Sequence, residues 1–163
     1  MLYFLDASAI LKLLFTEATG SKEVKELCRT PHVVRRTTWL CLAEVYGRLK
    51  SAWINGQKPV PRPGQKQLDQ KGYDRKLFDM QKYVQKCIKL EDSIHLKPRE
   101  FQDVRHLLKT YRCIDYSDAL HIVVLKQWRS HSPVFVTSDK ALICAAQLEK
   151  VEVWNPESGP FPE

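Results

Sequence analysis

Short apolar segments alternate with helical patterns along most of the chain, and this alternation limits the folds that it can adopt. Strands are predicted at 1–5, 33–35, 93–96, 133–137 and 151–154, where short apolar runs lie between polar or turn-forming residues. Helices are predicted at 7–15, 21–28, 39–53, 73–90, 100–111, 118–128 and 140–148 from their apolar spacing and capping residues. Strands that alternate with helices indicate an α/β fold, with a parallel sheet covered by helices on both sides.

The length and the cysteines favour one cytoplasmic domain. A chain of 163 residues suits a single domain, predicted over 1–156, with a frayed Pro- and Gly-rich tail at 157–163. The apolar start of the chain is interrupted by Asp6 and Lys12, so no transmembrane helix or signal peptide is predicted and no membrane contact is expected. The five cysteines have no CxxC spacing, which predicts free buried thiols rather than a zinc site or disulfides.

Positive charge concentrates in a predicted loop and helix at 53–92, which we call the basic segment. The chain has a net charge of +7, and the stretch from Lys58 to Lys89 contains nine basic residues and three acidic residues. Such a segment can hold a phosphate backbone, or it can simply be a solvated helix face and loop. The candidate RNA-binding residues are Lys58, Arg62, Lys66, Lys71, Arg75 and Lys76.

Three aspartates are predicted to face the same crevice. Asp6 and Asp139 follow predicted strands, and Asp118 is predicted to begin a helix after a loop. Ligand sites in parallel α/β sheets form beyond the carboxyl ends of the strands. Each aspartate has a second interpretation, because a carboxylate at the start of a helix also caps it or complements its dipole.

Glu44 differs from the aspartates because it lies inside a predicted apolar helix. A buried carboxylate needs a cation, a partner or a shifted pKa, and Arg48, one turn later, is a possible partner. One Mg²⁺ or Mn²⁺ site would account for all four acids, since hard cations take oxygen ligands. Carboxylates without Cys or His ligands point to phosphate-ester chemistry.

Four short motifs carry a family resemblance. In chain order they are the residues 5–12, 38–45, 116–121 and 136–139, with the sequences LDASAILK, TWLCLAEV, YSDALH and VTSD. They resemble the motifs of PIN-domain ribonucleases, in particular the VapC-type toxins of VapBC toxin–antitoxin pairs. The resemblance implies a three-layer α/β/α domain that binds Mg²⁺ or Mn²⁺ through catalytic acids at Asp6, Glu44, Asp118 and Asp139. Supporting roles would fall to Ser8, Thr137, Ser138 and Asp115.

The resemblance also implies an activity and partners. The chain would be an endoribonuclease in which a metal-activated water hydrolyses RNA, and it would form a homodimer inhibited by a cognate antitoxin. The sequence departs from the family in its long basic segment, and Asp115 lies three residues before Asp118, so either acid could be the third ligand. Asp118 is favoured because the residues after it continue the motif. His121 is expected to be a core histidine with its hydrogen bonds satisfied, or one that supports a metal ligand, rather than a ligand itself.

Two other functions remain open at the level of sequence. A haloacid-dehalogenase-like phosphatase also has an aspartate after a strand, but it needs a second aspartate two residues later, where this chain has Ser8. A non-catalytic PIN-like module would bind RNA or a protein through the basic segment. Metal-dependent RNA cleavage that is lost on substitution of Asp6 would exclude both.

Overall fold

The central feature of the fold is a parallel sheet with the strand order β3-β2-β1-β4-β5. The computed structural model describes residues 1–57, 66–91 and 97–162. The strands are β1 (Leu2–Leu5), β2 (Val34–Thr38), β3 (Lys89–Glu91), β4 (Val134–Val136) and β5 (Glu152–Trp154). All residues of β1 and β4 are buried, as expected for the centre of a parallel sheet covered on both faces.

Seven helices cover the sheet within the described ranges. They are α1 (Ala7–Leu14), α2 (Ser21–Arg29), α3 (Trp39–Gly56), α4 (Gln70–Lys86), α5 (Pro98–Thr110), α6 (Tyr116–Gln127) and α7 (Lys140–Leu148). Helix α1 contacts α2, α3 and α4, and α5 contacts α6. Right-handed crossovers place α1 to α4 on one face of the sheet and α5 to α7 on the other. The predicted three-layer α/β/α architecture is confirmed.

Aromatic packing fixes the second helical layer to the middle of the sheet. Phe4 of β1 lies beside Phe135 of β4 and beside Trp128 after α6, with ring centroids 5.8 Å apart in both pairs. The guanidinium of Arg36 on β2 lies 5.3 Å from the Trp128 ring centroid, and it pairs with Glu91 of β3 at 3.2 Å. None of the helices in the described ranges is both long enough and apolar enough to cross a membrane.

The basic segment contributes to the sheet. The predicted helix 73–90 is wrong at both ends, because α4 begins at Gln70 and ends at Lys86, and Lys89–Glu91 forms the edge strand β3. Asp69 caps α4 by accepting a hydrogen bond from the Gly72 amide at 2.6 Å. Parallel pairing of β3 with β2 then overrides the helical spacing of its residues. The strand predicted at 93–96 lies outside the described residues.

The C-terminal tail packs on the first strand. Phe161 lies edge-on to Tyr3 and Trp154, with ring centroids 6.3 and 6.0 Å apart, and the Trp154 indole donates a hydrogen bond to the Gly159 carbonyl at 3.2 Å. The Tyr3 hydroxyl donates to the carbonyl of Pro162. The prediction of a frayed tail is therefore wrong for 157–162, because these aromatic contacts hold it. Glu163 lies outside the described residues.

Candidate metal centre

The strand order reverses between β1 and β4, and the crevice beyond their carboxyl ends is the usual place for a ligand in such a sheet. Asp6 follows β1 directly, and Thr137, Ser138 and Asp139 follow β4. The Asp6 amide donates to the Val136 carbonyl at 3.1 Å, so the two strand ends lie side by side.

A chain of hydroxyl groups orients the Asp6 carboxylate. The fully buried Thr137 hydroxyl donates to Asp6 Oδ2 at 3.0 Å. Since a hydroxyl has one hydrogen to donate, the 3.2 Å contact between Ser8 Oγ and Thr137 Oγ1 requires Ser8 to be the donor there. Ser8 Oγ accepts from the Ser138 amide at 3.0 Å, and Thr137 Oγ1 accepts from the Asp139 amide at 3.2 Å. These bonds hold the Oδ2 atom of Asp6 in place and connect the residues that follow β1 to those that follow β4.

Asp6 and Asp139 also cap the helices that follow them. Asp6 Oδ2 accepts from the Ser8 amide at 3.3 Å, and Asp139 Oδ1 accepts from the Ala141 and Leu142 amides at 2.9 and 3.0 Å. The capping interpretation is therefore correct for both. It is compatible with a metal site, because Asp139 is exposed and each cap uses only one carboxylate oxygen.

Asp115 and Asp118 form a reciprocal cap at the start of α6. Asp115 Oδ1 accepts from the Asp118 amide at 3.0 Å and from the Ser117 hydroxyl at 2.7 Å, and Asp118 Oδ2 accepts from the Asp115 amide at 3.1 Å. The helix thus begins at Tyr116, one residue after Asp115, so the prediction that Asp118 begins it is wrong. Asp115 is exposed, whereas Asp118 is partly buried on the first turn.

The pKa values of Asp115 and Asp118 shift in opposite directions. Hydrogen bonds, first of all from the Asp118 amide, lower the pKa of Asp115. Burial, as the largest cause, and the charges of Asp115, Asp6 and Asp139 together raise the pKa of Asp118 to about 6, against one opposing backbone hydrogen bond from Asp115. The negative charges of Asp6 and Asp139 therefore act on Asp118. Ionisation of all the acids in this cluster raises the free energy of the folded protein unless a cation compensates their charge.

Glu44 projects from α3 with one oxygen left unpaired. Its Oε1 atom is buried and has no hydrogen-bond partner among the described residues. Arg48, the possible partner one turn later, forms no ion pair with it in that part of the chain. A buried carboxylate oxygen without a donor is expensive, and a bound cation would relieve that cost.

His121 and Cys41 lie next to the acids, and the sequence did not predict their contact. Both side chains are fully buried, and Cys41 Sγ lies 3.2 Å from His121 Nε2. His121 Nδ1 lies 3.9 Å from Asp6 Oδ1, so this buried histidine lies beside a predicted ligand, but the nitrogen has no hydrogen bond among the described residues. Burial lowers the pKa of His121, but Cys41 and then Asp6 and Glu44 raise it to about 9.

The cysteines are free, as predicted, but not all are buried. Cys28 and Cys41 are buried and Cys87 is partly so, whereas Cys113 and Cys144 are exposed. The signal for Cys41 was its position, three residues after the Thr38 cap and three before Glu44, which places it in the first turns of α3.

The basic candidates in the described part of the chain lie on α4 or just before it. Lys66 pairs with Glu17 at 2.5 Å, and Lys76 donates to the Leu14 carbonyl at the end of α1. Lys71 is exposed on α4, and Arg75 and Lys76 line a cleft of about 520 Å³ between α1, α2 and α4. Further cations line this cleft, namely Lys25, Lys82 and Lys86. Lys58 and Arg62 lie outside the described residues.

The side chains of the crevice suit a hard cation. Carboxylates from four positions approach it, one with an orphaned buried oxygen and one with a raised pKa. Mg²⁺ and Mn²⁺ are typically held by a few such carboxylates together with water and substrate phosphate. The chain is thus an α/β/α domain with an acidic crevice at the switch point of its parallel sheet.

Comparisons with known proteins agree at the level of the fold. A chain in the structure of VapBC2 from Rickettsia felis, bound to a DNA fragment from its promoter, matches with a TM-score of 0.58 and 11% identity, over 95% of this chain and 98% of that chain. A chain of VapBC-1 from nontypeable Haemophilus influenzae matches with a TM-score of 0.55 and 12% identity, over 96% and 98%. No protein-family model and no curated protein sequence matches this chain.

Proposed function

We propose that this chain is a Mg²⁺- or Mn²⁺-dependent endoribonuclease and the toxin of a toxin–antitoxin pair. The observation that carries the proposal is the carboxylate cluster at the switch point, in which Asp6 and Asp139 help to raise the pKa of Asp118 to about 6. Titratable groups whose pKa is perturbed by burial and by neighbouring charges cluster at functional sites. The acidic motifs and the shared fold with chains of VapBC structures lend further support.

Each residue has a distinct task in this proposal. Asp6, Asp118, Asp139 and Glu44 hold the metal, which when bound generates the attacking hydroxide and stabilises charge on the phosphodiester. Thr137 orients Asp6 through the 3.0 Å hydrogen bond to Oδ2, and Ser8 orients Thr137. The amides of Ser138 and Asp139 hold these two hydroxyls in turn. The acids thus keep a fixed geometry while substrate enters and product leaves.

The distribution of positive charge supports RNA as the substrate class. The cleft cations Lys25, Arg75, Lys82 and Lys86 offer a binding surface for a phosphate backbone. Helix α1 follows its cap Asp6 and reaches this cleft with Leu13 and Leu14, a distance of roughly 12 Å at 1.5 Å per residue. An RNA strand of a few nucleotides would span the interval between cleft and acids.

The proposal includes an antitoxin, a homodimer and a cytoplasmic location. The two similar structures are VapBC complexes by name, which supports a protein partner. Trp39 and Tyr46 lie two turns apart on one face of α3 and are 56% and 36% exposed, and aromatic residues of this kind are enriched at interfaces. Light scattering behind size exclusion would test the dimer, and Trp39→Glu with Tyr46→Glu should convert it to a monomer.

Cleavage of a labelled total-RNA pool tests the activity. Wild type, Asp6→Asn and Asp118→Asn are compared with Mg²⁺, with Mn²⁺ and with chelator, alongside Asp103→Asn, an exposed acid on α5, as the charge-matched control. Asparagine caps a helix as well as aspartate does, so the fold should survive at Asp6. We expect cleavage by wild type and the control only, and only with metal.

The competing function is a non-catalytic module that binds RNA through the basic cleft. It is favoured if wild type binds RNA in a salt-dependent manner but cuts none of the pool under any metal condition, and if calorimetry detects no Mn²⁺ binding. Cleavage that persists in Asp6→Asn would contradict the assignment of the acids and indicate a contaminating nuclease.

A further inference from the structure

Three side chains form a compact set of potential metal ligands that differs from the four acids. One donor atom from each of Asp6, Cys41 and His121 can be chosen so that all three lie within 4.8 Å of one another. Cys41 and His121 are fully buried, and Asp6 is 5% exposed. A thiol, an imidazole and a carboxylate are together a ligand set for a borderline-soft cation rather than for Mg²⁺.

The imidazole of His121 is held in place but incompletely bonded. Its ring packs between Phe4 and Phe135, with centroids 5.7 and 6.4 Å away. Nε2 faces Cys41 Sγ at 3.2 Å, and the unpartnered Nδ1 faces Asp6 Oδ1 at 3.9 Å. In a tetrahedral zinc site with ordinary bond lengths, donor atoms lie roughly 3.4 to 3.6 Å apart. A single cation takes only one of the two ring nitrogens, and a set with one nitrogen lies within 4.8 Å, so the three side chains would draw closer by up to roughly 1 Å around a bound cation.

We propose that Asp6, Cys41 and His121 form a binding site for Zn²⁺ or a similar borderline-soft divalent cation. The orphaned buried Oε1 of Glu44, or a water, supplies the fourth ligand. Binding displaces the thiol proton of Cys41 and the second ring proton of His121, and both are released to solvent as the thiolate and the neutral imidazole coordinate the cation. Sequence spacing does not predict this site, because its ligands come from the end of β1, from α3 and from α6.

The site has a consequence that rests on the proposed nuclease function. Because it shares Asp6 with the acidic cluster, a cation bound there competes with Mg²⁺ for that carboxylate. Divalent zinc binds nitrogen and sulfur ligands far better than Mg²⁺ does, so a small amount of Zn²⁺ would displace a large excess of Mg²⁺. Zinc would then act as an inhibitor of RNA cleavage.

Cobalt titration tests the site without reference to activity. Co²⁺ added to the metal-free, reduced protein should bind with one equivalent and give the near-ultraviolet charge-transfer band of a thiolate ligand. We expect Cys41→Ala to lose this band and to bind Zn²⁺ at least about tenfold more weakly, since loss of even an indirect partner of a ligand costs this much. Cys144→Ala, at an exposed thiol on α7, should keep both. A band that is absent in wild type, or retained in Cys41→Ala, would overturn the proposal.

A second measurement uses only the unmodified protein, in case the buried substitution disturbs folding. X-ray absorption at the zinc edge should show one sulfur at about 2.3 Å and nitrogen or oxygen ligands at about 2.0 to 2.1 Å. A zinc shell without sulfur would contradict the site.

The cleavage assay then examines the competition. With Mg²⁺ in excess, one equivalent of Zn²⁺ should stop cleavage by wild type, whereas Cys41→Ala should keep most of its own zinc-free activity. Equal inhibition of both would overturn the competition. If the chain cuts no RNA at all, the proposed function fails while the cobalt and zinc spectra still decide the site.

Discussion

At the scale of single residues, Asp118 is the carboxylate with the largest pKa shift in the described part of the chain. Its pKa is raised from 3.8 to about 6, chiefly by burial and then by Asp115, Asp6 and Asp139. The folded protein therefore binds more protons than the unfolded chain between these two values. The free energy of unfolding falls as pH rises from about 4 to about 6, and the loss persists above that range.

Replacement of Asp118 by Asn should remove this loss. In the presence of chelator we expect Asp118→Asn to have a higher Tm than wild type at pH 7, with the difference shrinking toward zero near pH 4. The pKa of His121 is raised to about 9, so its protonation stabilises the fold fully below pH 6.5, and this effect is lost as pH rises through 9. Because the contribution of His121 is the same in both proteins, it cancels to first order from their difference in Tm. Thermal unfolding by circular dichroism measures the difference, and a lower Tm for Asp118→Asn at pH 7 would refute it.

A second prediction concerns the hydroxyl chain. Thr137→Val keeps the shape of the fully buried side chain but leaves Asp6 Oδ2 without its 3.0 Å donor. We expect a stability loss of about 1 to 3 kcal/mol and a fall in cleavage of about 10- to 100-fold, because a metal ligand loses its orienting partner. Thr137→Ser, which restores the donor, is the control. Equal kcat values for the Val and Ser variants would show that the hydroxyl does not position Asp6.

A third prediction separates the two acids at the start of α6. Asp115→Ala removes a helix cap and should cost about 1 kcal/mol of stability, whereas Asp115→Asn keeps the cap. Both should retain measurable cleavage, because Asp118 rather than Asp115 lies in the field of Asp6 and Asp139. Cleavage and Tm are measured on both variants. If Asp115→Asn lost as much activity as Asp118→Asn, the third ligand would be Asp115.

At the scale of elements, helix boundaries were predictable where a cap stands next to a clear apolar pattern. Helix α7 occupies 140–148 as predicted, with Asp139 as its cap. Helix α6 begins earlier than predicted because Asp115 competes with Asp118 for the capping position. Strand β3 was missed because three residues carry no periodic signal, and only its pairing with β2 makes it a strand.

The cleft beside α4 yields a prediction on substrate binding. Combined Arg75→Gln, Lys82→Gln and Lys86→Gln removes three of its cations. If each meets one phosphate of a single strand, the slope of log K against log salt should fall by about 2. Filter binding over a salt series measures this slope. Arg99→Gln with Arg105→Gln and Lys109→Gln, all exposed on α5, makes the same charge change on the opposite layer and should leave the slope unaltered.

At the scale of the whole molecule, cation binding should appear as added stability. A ligand at 100 times its Kd stabilises the folded state by about 2.7 kcal/mol. We expect Mn²⁺ at such a concentration to raise the Tm of wild type and to have little effect on Asp6→Asn. Differential scanning calorimetry with and without chelator measures this, with Asp103→Asn again as the control. Equal shifts in all three proteins would mean that the ion binds elsewhere.

The sequence predicts the architecture better than the contacts within the crevice. Alternating strands and helices lead to the α/β/α layers, and the acidic motifs nominate Asp6, Asp118 and Asp139, which the fold places in one electrostatic field. The contact between Cys41 and His121 joins residues 80 positions apart. No local pattern encodes such a contact, because it depends on how α3 and α6, from opposite faces of the sheet, are placed relative to each other.

The order of strands also determines when the crevice can exist. Strand β1 is made first of the five strands but lies between β2 and β4. The hydroxyl that orients Asp6 belongs to Thr137, which directly follows β4. Synthesis must therefore pass β4, at Val134–Val136, before the acids can assemble. A nascent or truncated product that ends before β4 has no complete crevice, so under the proposed function it would not yet cut RNA.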